Sequence, residues 1–207
     1  MLQAMKQRLG LLEAAAIFAL IVFYIWELHQ RHPAACLAIF GVIAISHAVR
    51  RERVAWLGFR AETLAEDLAR FAPALAFIAL VLFAAGLLAQ TIRQIGFLQA
   101  ATGWFAYLPW GTFQQYMLNG YFLNRLRSSL PSRTASVAAS LLFSGVHTPN
   151  WFLMVVTLVM GYAATRVYQS RRNLYLLGIA HATLGFLLFL VVPDSISHHL
   201  NVGPGRH

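Results

Sequence analysis

The hydrophobic positions of this chain run in long unbroken stretches, and the polar residues gather in the gaps between them. Runs of this kind approach the roughly 20 residues that cross a bilayer core of about 30 Å, so they predict membrane-spanning helices. Lipid offers no hydrogen bonds to the backbone, which leaves helices or a closed barrel. The absence of a period of two selects helices. Seven spans are predicted, near residues 9–26, 34–49, 71–89, 104–126, 134–147, 151–168 and 174–192. The fifth is short for a full crossing and reads as a half-span or as a segment inside the bundle. Pro109-Trp110-Gly111 interrupts the fourth, which predicts a helix starting properly only at Thr112 after an interfacial approach through 104–110. Pro149 ends the fifth in the same way.

Two stretches between spans are amphipathic. Residues 50–70 mix Arg51, Arg53 and Arg60 with Trp56, Leu57, Phe59 and Leu64, which predicts a helix lying on the cytoplasmic surface. Residues 90–103 carry less charge and are expected at the outer interface, with Trp104, Trp110 and Trp151 as interfacial anchors.

Composition strengthens this picture. The chain is 59% hydrophobic and 11% charged, with a mean hydropathy of +0.62, too little charge to cover a soluble domain. The net charge of +9 is an orientation signal more than a nucleic-acid footprint. With the N-terminus inside, the cytoplasmic segments collect Lys6, Arg8, Arg50, Arg51, Arg53, Arg60, Arg70, Arg125, Arg127, Arg133, Arg166, Arg171 and Arg172. Only Arg31, Arg93 and Arg206 fall outside. The positive-inside rule then selects N-in and C-out. Cys36 is alone, which excludes a disulfide framework or a cysteine metal site. The first apolar run is too long for a signal peptide and reads as a retained span, and the C-terminal Gly-Pro-Gly-Arg-His carries no lipidation box.

Polar side chains inside spans are costly and are the natural place to look for function. In the fourth span, Gln115 and Asn119 share a helix face, with Gln114 and Gly120 beside them and Thr112 a turn earlier. They read either as amide glue between helices or as part of a site. In the fifth, Ser136, Ser140 and Ser144 make a small-residue stripe that suits close packing. The stripe ends in His147, just before a Thr-Pro-Asn break of the kind tolerated where backbone lines a cavity. In the seventh, His181 lies between Gly178 and Gly185 on one face. Counting 1.5 Å per residue brings Gln115, His147 and His181 to similar depths near the midplane. His47 adjoins Arg50 and is expected to snorkel to the surface. His29, His32, His198, His199 and His207 fall in loops or the tail, and Glu13 in the first span has no assigned role.

The order Gln-Gln-x-x-x-Asn-Gly (Gln114, Gln115, Asn119, Gly120), Phe-x-x-x-His (Phe143, His147) and His-x-x-x-Gly (His181, Gly185) resembles the CPBP family. These are the CAAX-protease and bacteriocin-processing membrane proteins that include type II CAAX prenyl endopeptidases. The family pattern is Glu-Glu-x-x-x-Arg-Gly, Phe-x-x-x-His and His-x-x-x-Asn on separate membrane helices. The resemblance covers about 111–190 of a single transmembrane domain, 1–207. It implies that the residue at 114 activates water with the help of His147, and that His181 and the residue at 185 stabilise an oxyanion. Gln114 stands at the position of that base, Gln115 at the second glutamate, Asn119 at the arginine and Gly185 at the asparagine.

These departures fall on the chemistry. An amide has no useful basicity and glycine offers no side-chain donor. The seven acids are Glu13, Glu27, Glu52, Glu62, Glu66, Asp67 and Asp194, so from Leu68 to Pro193 there is none. A replacement base would have to be His147, His181 or Glu13. Two histidines with amide oxygens could hold a divalent ion, although neutral amides are poor zinc ligands and no other cofactor is suggested. The expected fold is therefore all-α, a polytopic membrane helix bundle of about seven spans. The expected function is a non-hydrolytic CPBP-like protein whose intramembrane polar cavity binds a membrane protein or lipid-like partner as an assembly or accessory subunit. The alternative is an intramembrane endopeptidase acting on a membrane-anchored or lipidated peptide through His147 and His181. Membrane lipids are expected partners and nucleic acid is not. The Ala, Leu and Arg richness is compatible with a bacterial inner membrane.

Overall fold

The computed structural model describes residues 2–204, with side chains from residue 8. Arg206, His207 and the side chain of Lys6 lie outside the described residues. The chain folds as helices: α1 (Leu2–Phe23, extended by a π-helical turn Tyr24–Leu28), α2 (Cys36–Arg50), α3 (Leu64–Leu88), α4 (Phe97–Gln115), α5 (Ser132–Gly145), α6 (Trp151–Arg171), α7 (Leu174–Val191) and a short α8 (Asp194–Ser197). No strand occurs among the described residues. Among the described residues, five helices are long and apolar enough to cross a membrane: Arg8–Leu28, Pro33–Arg50, Ala61–Leu88, Trp151–Arg171 and Leu174–Val191.

The distribution of side chains is inverted relative to a soluble protein. Leu12, Val49, Phe77, Leu88 and Phe97 face outward, while Asn119, Arg125, Ser136, Ser140, Asn150 and Asn173 are buried. Lipid as solvent accounts for this, because it accepts apolar surface freely and penalises unpaired polar groups. The chain is thus a multi-pass integral membrane protein.

Three sequence expectations are corrected. Residues 50–70 do not form a surface helix. Arg51 takes a left-handed conformation that ends α2, and an irregular segment follows. That segment tucks beneath the bundle, where the Leu57 carbonyl accepts from the Tyr168 hydroxyl at 2.8 Å and the Gly58 carbonyl from the Leu174 amide at 2.7 Å. Gly58 has a φ of +103°, and a Cβ there would lie 2.7 Å from the Tyr168 ring, so only glycine fits this turn.

Second, residues 97–103 already belong to α4, and Pro109 lies inside that helix. Pro109 and Phe105 sit on its exposed side, leaving room for the ring. The opposite face packs on α7, where a Cβ on Gly111 would be 3.2 Å from both the Ala182 nitrogen and the His181 ring. Third, α4 does not end as an ordinary helix. It continues as a buried π-helix, Tyr116–Leu123, and a last turn, Asn124–Leu126. π-helical segments are rare and are frequent at functional sites.

The serine stripe of α5 is a packing surface, as the small residues suggested. Ser136, Ser140 and Ser144 face Thr157, Gly161 and Thr165 of α6, all buried. Close approach of small residues replaces the hydrophobic drive that lipid removes. The Ser144 hydroxyl donates to the Met154 carbonyl at 2.7 Å, and Ser136 Oγ accepts from Gln169 Nε2 at 2.7 Å.

Two buried asparagines fix the starts of α6 and α7. Asn150 Oδ1 accepts from the Leu153 amide at 3.1 Å, and its Nδ2 donates to the carbonyls of Ser197 and Asn201. Asn173 Oδ1 caps α7 through the amides of Tyr175 and Leu176, while its Nδ2 donates to Asp67 Oδ2 at 2.8 Å. Asp67 is also paired with Arg171 at 2.5 Å. Substituting Asn173→Ala removes a cap and a bond to a buried carboxylate together. We expect a loss of about 2–4 kcal/mol, measured as thermal unfolding in detergent. Asn173→Asp, which keeps the cap but repels Asp67, should recover little of it.

Candidate functional site

The π-helical stretch of α4 presents two polar faces. On the first, Asn119 Nδ2 donates to Gln115 Oε1 at 2.9 Å, and Gln115 Nε2 lies 3.0 Å from His181 Nδ1 on α7. An amide nitrogen only donates, so Nδ1 accepts. With the amides oriented as assigned, a neutral His181 carries its proton on Nε2. The close crossing of α4 and α7 makes this possible. At Gly178 a Cβ would lie 2.1 Å from Thr112 Oγ1, so glycine is required there.

His147, in the turn just after α5, lies next to this pair. Its Nδ1 is 2.7 Å from the Phe143 carbonyl, which can only accept, so Nδ1 carries the proton and Nε2 the lone pair. The Phe143 ring stands edge-on to both imidazoles, with centroids 5.1 Å from His147 and 6.4 Å from His181. The sequence-predicted Gln115, Asn119, His147 and His181 are thus brought together around Phe143. Gln114 is half-buried and makes no side-chain hydrogen bond among the described residues. Asn119 Oδ1 is buried without a partner among them.

Tyr107 was missed in the sequence reading. A Cβ on Gly185 would lie 2.9 Å from the Tyr107 ring and 3.0 Å from its hydroxyl. The phenol therefore occupies the space that a side chain at 185 would fill, with its oxygen 3.4 Å from His181 Nε2. Gly185 supplies no donor, but Tyr107, eight residues before Gln115, places a hydroxyl there. Its spacing on the α4 face toward Gly111 and Gln115 was the available signal.

The second face points to α1 and α2. Arg125, 2% exposed, donates from Nε to Glu13 at 2.7 Å and from its terminal nitrogens to Glu52 at 2.7 and 2.9 Å. Glu13 also accepts from Arg50 at 2.5 Å, from the Tyr121 hydroxyl at 3.0 Å and from Ser46. His47 does not snorkel. Its Nδ1 is 2.5 Å from Glu52, and its Nε2 is 2.7 Å from the Tyr116 hydroxyl. Tyr116 and Tyr121, five residues apart, both border its ring, as the i to i+5 period of a π-helix allows. Burial alone would raise the Glu52 carboxyl, but hydrogen bonds from Arg125 and His47 outweigh it and hold the group below its ordinary range.

This network corrects a further expectation. Glu13 is committed to Arg125 and Arg50 and is unsuited as a replacement base. Arg125 is an internal counter-ion to both carboxylates. Among the described residues no three of His, Cys, Asp and Glu gather as a metal-ligand group.

The architecture is that of a multi-pass membrane helix bundle with an uncharged polar site between three helices. Residues 96–187 match the family model of type II CAAX prenyl endopeptidase Rce1-like proteins. The matched stretch includes every motif position from Gln114 to Gly185. No curated protein matches the chain. No solved structure matches it either.

Proposed function

We propose that this chain is a CPBP-type membrane protein that binds a membrane protein segment or lipid-like partner at the Gln115–His181–His147 site without hydrolysing it. It would serve as an assembly or accessory subunit. The observation that carries this reading is the amide of Gln115, which links His181 to Asn119 at the centre of the site. Activating water needs a group that accepts a proton, and an amide does not. What the site offers instead is neutral: the lone pair of His147 Nε2, the Asn119 Oδ1 acceptor, and the His181 and Tyr107 donors. Such a set suits an uncharged group that both donates and accepts, such as an exposed main-chain amide. The grouping of arginines at one end of the bundle supports an N-in orientation, consistent with a bacterial inner membrane.

The endopeptidase reading draws on one specific feature. His147 holds its Nε2 lone pair free, and Tyr107 supplies a hydroxyl where Gly185 has none, so a histidine base with a phenol donor is chemically complete in outline.

A mild-detergent pull-down from native membranes, with the termini of each co-purifying chain mapped, separates the two. We expect an intact stoichiometric partner with the same termini for wild type and for His147→Ala. A processed end that disappears in His147→Ala would sink the binding reading. In the same assay, the pair Gln114→Glu and Gln115→Glu should introduce cleavage if only the base is missing.

A further inference from the structure

At the end of the bundle where the arginines collect, two hollows run into each other. One is an open groove of about 1230 Å³ between α1 and α2, walled by apolar side chains such as Leu12, Ile45 and Val49. The other is a hollow of about 380 Å³ lined by four arginines, Arg50, Arg125, Arg127 and Arg172, and by one carboxylate, Glu52. Arg50, Glu52 and Trp56 line both, so the apolar groove opens directly onto the basic hollow.

The charges there are not balanced internally. Arg125 is saturated by Glu13 and Glu52, and Arg50 is paired with Glu13. Arg172 has only neutral partners: it donates to Asn124 Oδ1 at 3.1 Å and lies 4.4 Å over the Trp56 ring. Those contacts fix its guanidinium at the mouth without cancelling its charge. Arg127 in the basic hollow and Arg53 on the groove rim are exposed, and neither has a carboxylate partner among the described residues. The nearby acids are already committed, which leaves Arg51 and Arg53 on the groove and Arg127 and Arg172 in the hollow as uncompensated cations.

We propose that this cleft is a binding site for an anionic phospholipid, its phosphate held by Arg127, Arg172 and Arg53 and an acyl chain lying in the groove between α1 and α2. A free phosphate would satisfy the arginines but leave the adjoining apolar walls without a partner. A neutral lipid would fill the groove but not the charge. Only an anionic amphiphile matches both, and basic hollows between membrane helices are suited to such headgroups. The site lies on the α1 and α2 side of α4, opposite the face that carries Gln115, and the inference is independent of whether that second site binds or cleaves.

The test uses the full chain in a non-ionic detergent, with lipid adducts counted by native mass spectrometry. Dioleoyl phosphatidylglycerol should be retained over dioleoyl phosphatidylcholine. Arg53→Gln and Arg127→Gln should each weaken that retention about fivefold, the weight of one cation close to an anionic headgroup. Both side chains are exposed, so folding should survive. Arg133→Gln, on exposed α5 surface outside the cleft, should leave retention unchanged. Ile45→Gln should weaken phosphatidylglycerol. Equal retention of the two lipids would overturn the proposal, as would equal losses in the Arg127 and Arg133 variants. Displacement by glycerol phosphate at the same concentration as lipid would assign the arginines to a free phosphate and overturn it too.

Discussion

Arg125→Ala should destabilise the protein by about 3–5 kcal/mol, measured as the loss of folded protein on heating in detergent. The reason is less the loss of attraction than what is left behind. Removing the guanidinium strands Glu13 and Glu52, two carboxylates held partly out of solvent, with 20% and 11% of their side chains exposed. An uncompensated charge in such a place costs several kcal/mol, far more than a surface pair is worth. Arg50 retains Glu13 in part and His47 retains Glu52, which keeps the loss near that range and not beyond it. Arg125→Lys should recover only a fraction, since one ammonium cannot span two carboxylates as the planar fork does. Removing all three charges at once, as Arg125→Met with Glu13→Leu and Glu52→Leu, should restore most of the stability. If the triple variant were as unstable as Arg125→Ala, packing of the arginine stem, and not stranded charge, would be the cause. The effect should also reach the candidate site, because Tyr116 leans on His47 and directly follows Gln115.

What could be read from the sequence, and what could not, divides along the range of the interactions. The apolar runs placed the helices, since hydropathy is a local property. Gln115 and Asn119 were expected on one face from their spacing alone, and they do bond to each other. Depth counting brought His181 to Gln115 because helices of similar length in one slab share a scale. Pro109 misled the reading because proline's local cost is small against a face packed along α7 on the other side. The Arg125 network was invisible for a different reason: Glu13 and Arg125 are 112 positions apart, and nothing near either names the other. A usable signal existed all the same. An acid inside one span and a base at the end of another, in a chain with seven acids in total, should be suspected of finding each other. The same holds for Asn150 and Asn173, polar residues at the starts of apolar helices, where caps are expected. The space between Gly185 and Tyr107 was not legible, because it depends on the angle at which α4 crosses α7.

That crossing carries the second large effect. Gly178→Ala should lower stability by about 2–3 kcal/mol and also pull apart the Gln115–His181 pair. An added Cβ would stand 2.1 Å from Thr112 Oγ1 and 2.9 Å from Thr112 Cα. A hydroxyl can rotate away, but a Cα cannot, so α4 and α7 must separate. Thr112→Ala in the same chain should therefore rescue little. Gln115 lies three residues beyond Thr112, and His181 three beyond Gly178, so both sides of the 3.0 Å contact ride on the displaced turns. The expected order of damage among glycine-to-alanine variants is steep. Gly178 should be worst, and Gly185 milder, because Tyr107 can swing its ring. Gly41 should be neutral or slightly stabilising, since nothing lies within 4 Å of a Cβ there and alanine favours a helix. Thermal unfolding gives the order, and the histidine nitrogen resonances of His181 report whether its bond to Gln115 survives. A Gly178→Ala protein as stable as Gly41→Ala, with His181 unmoved, would mean that α4 and α7 do not approach closely enough to build the site.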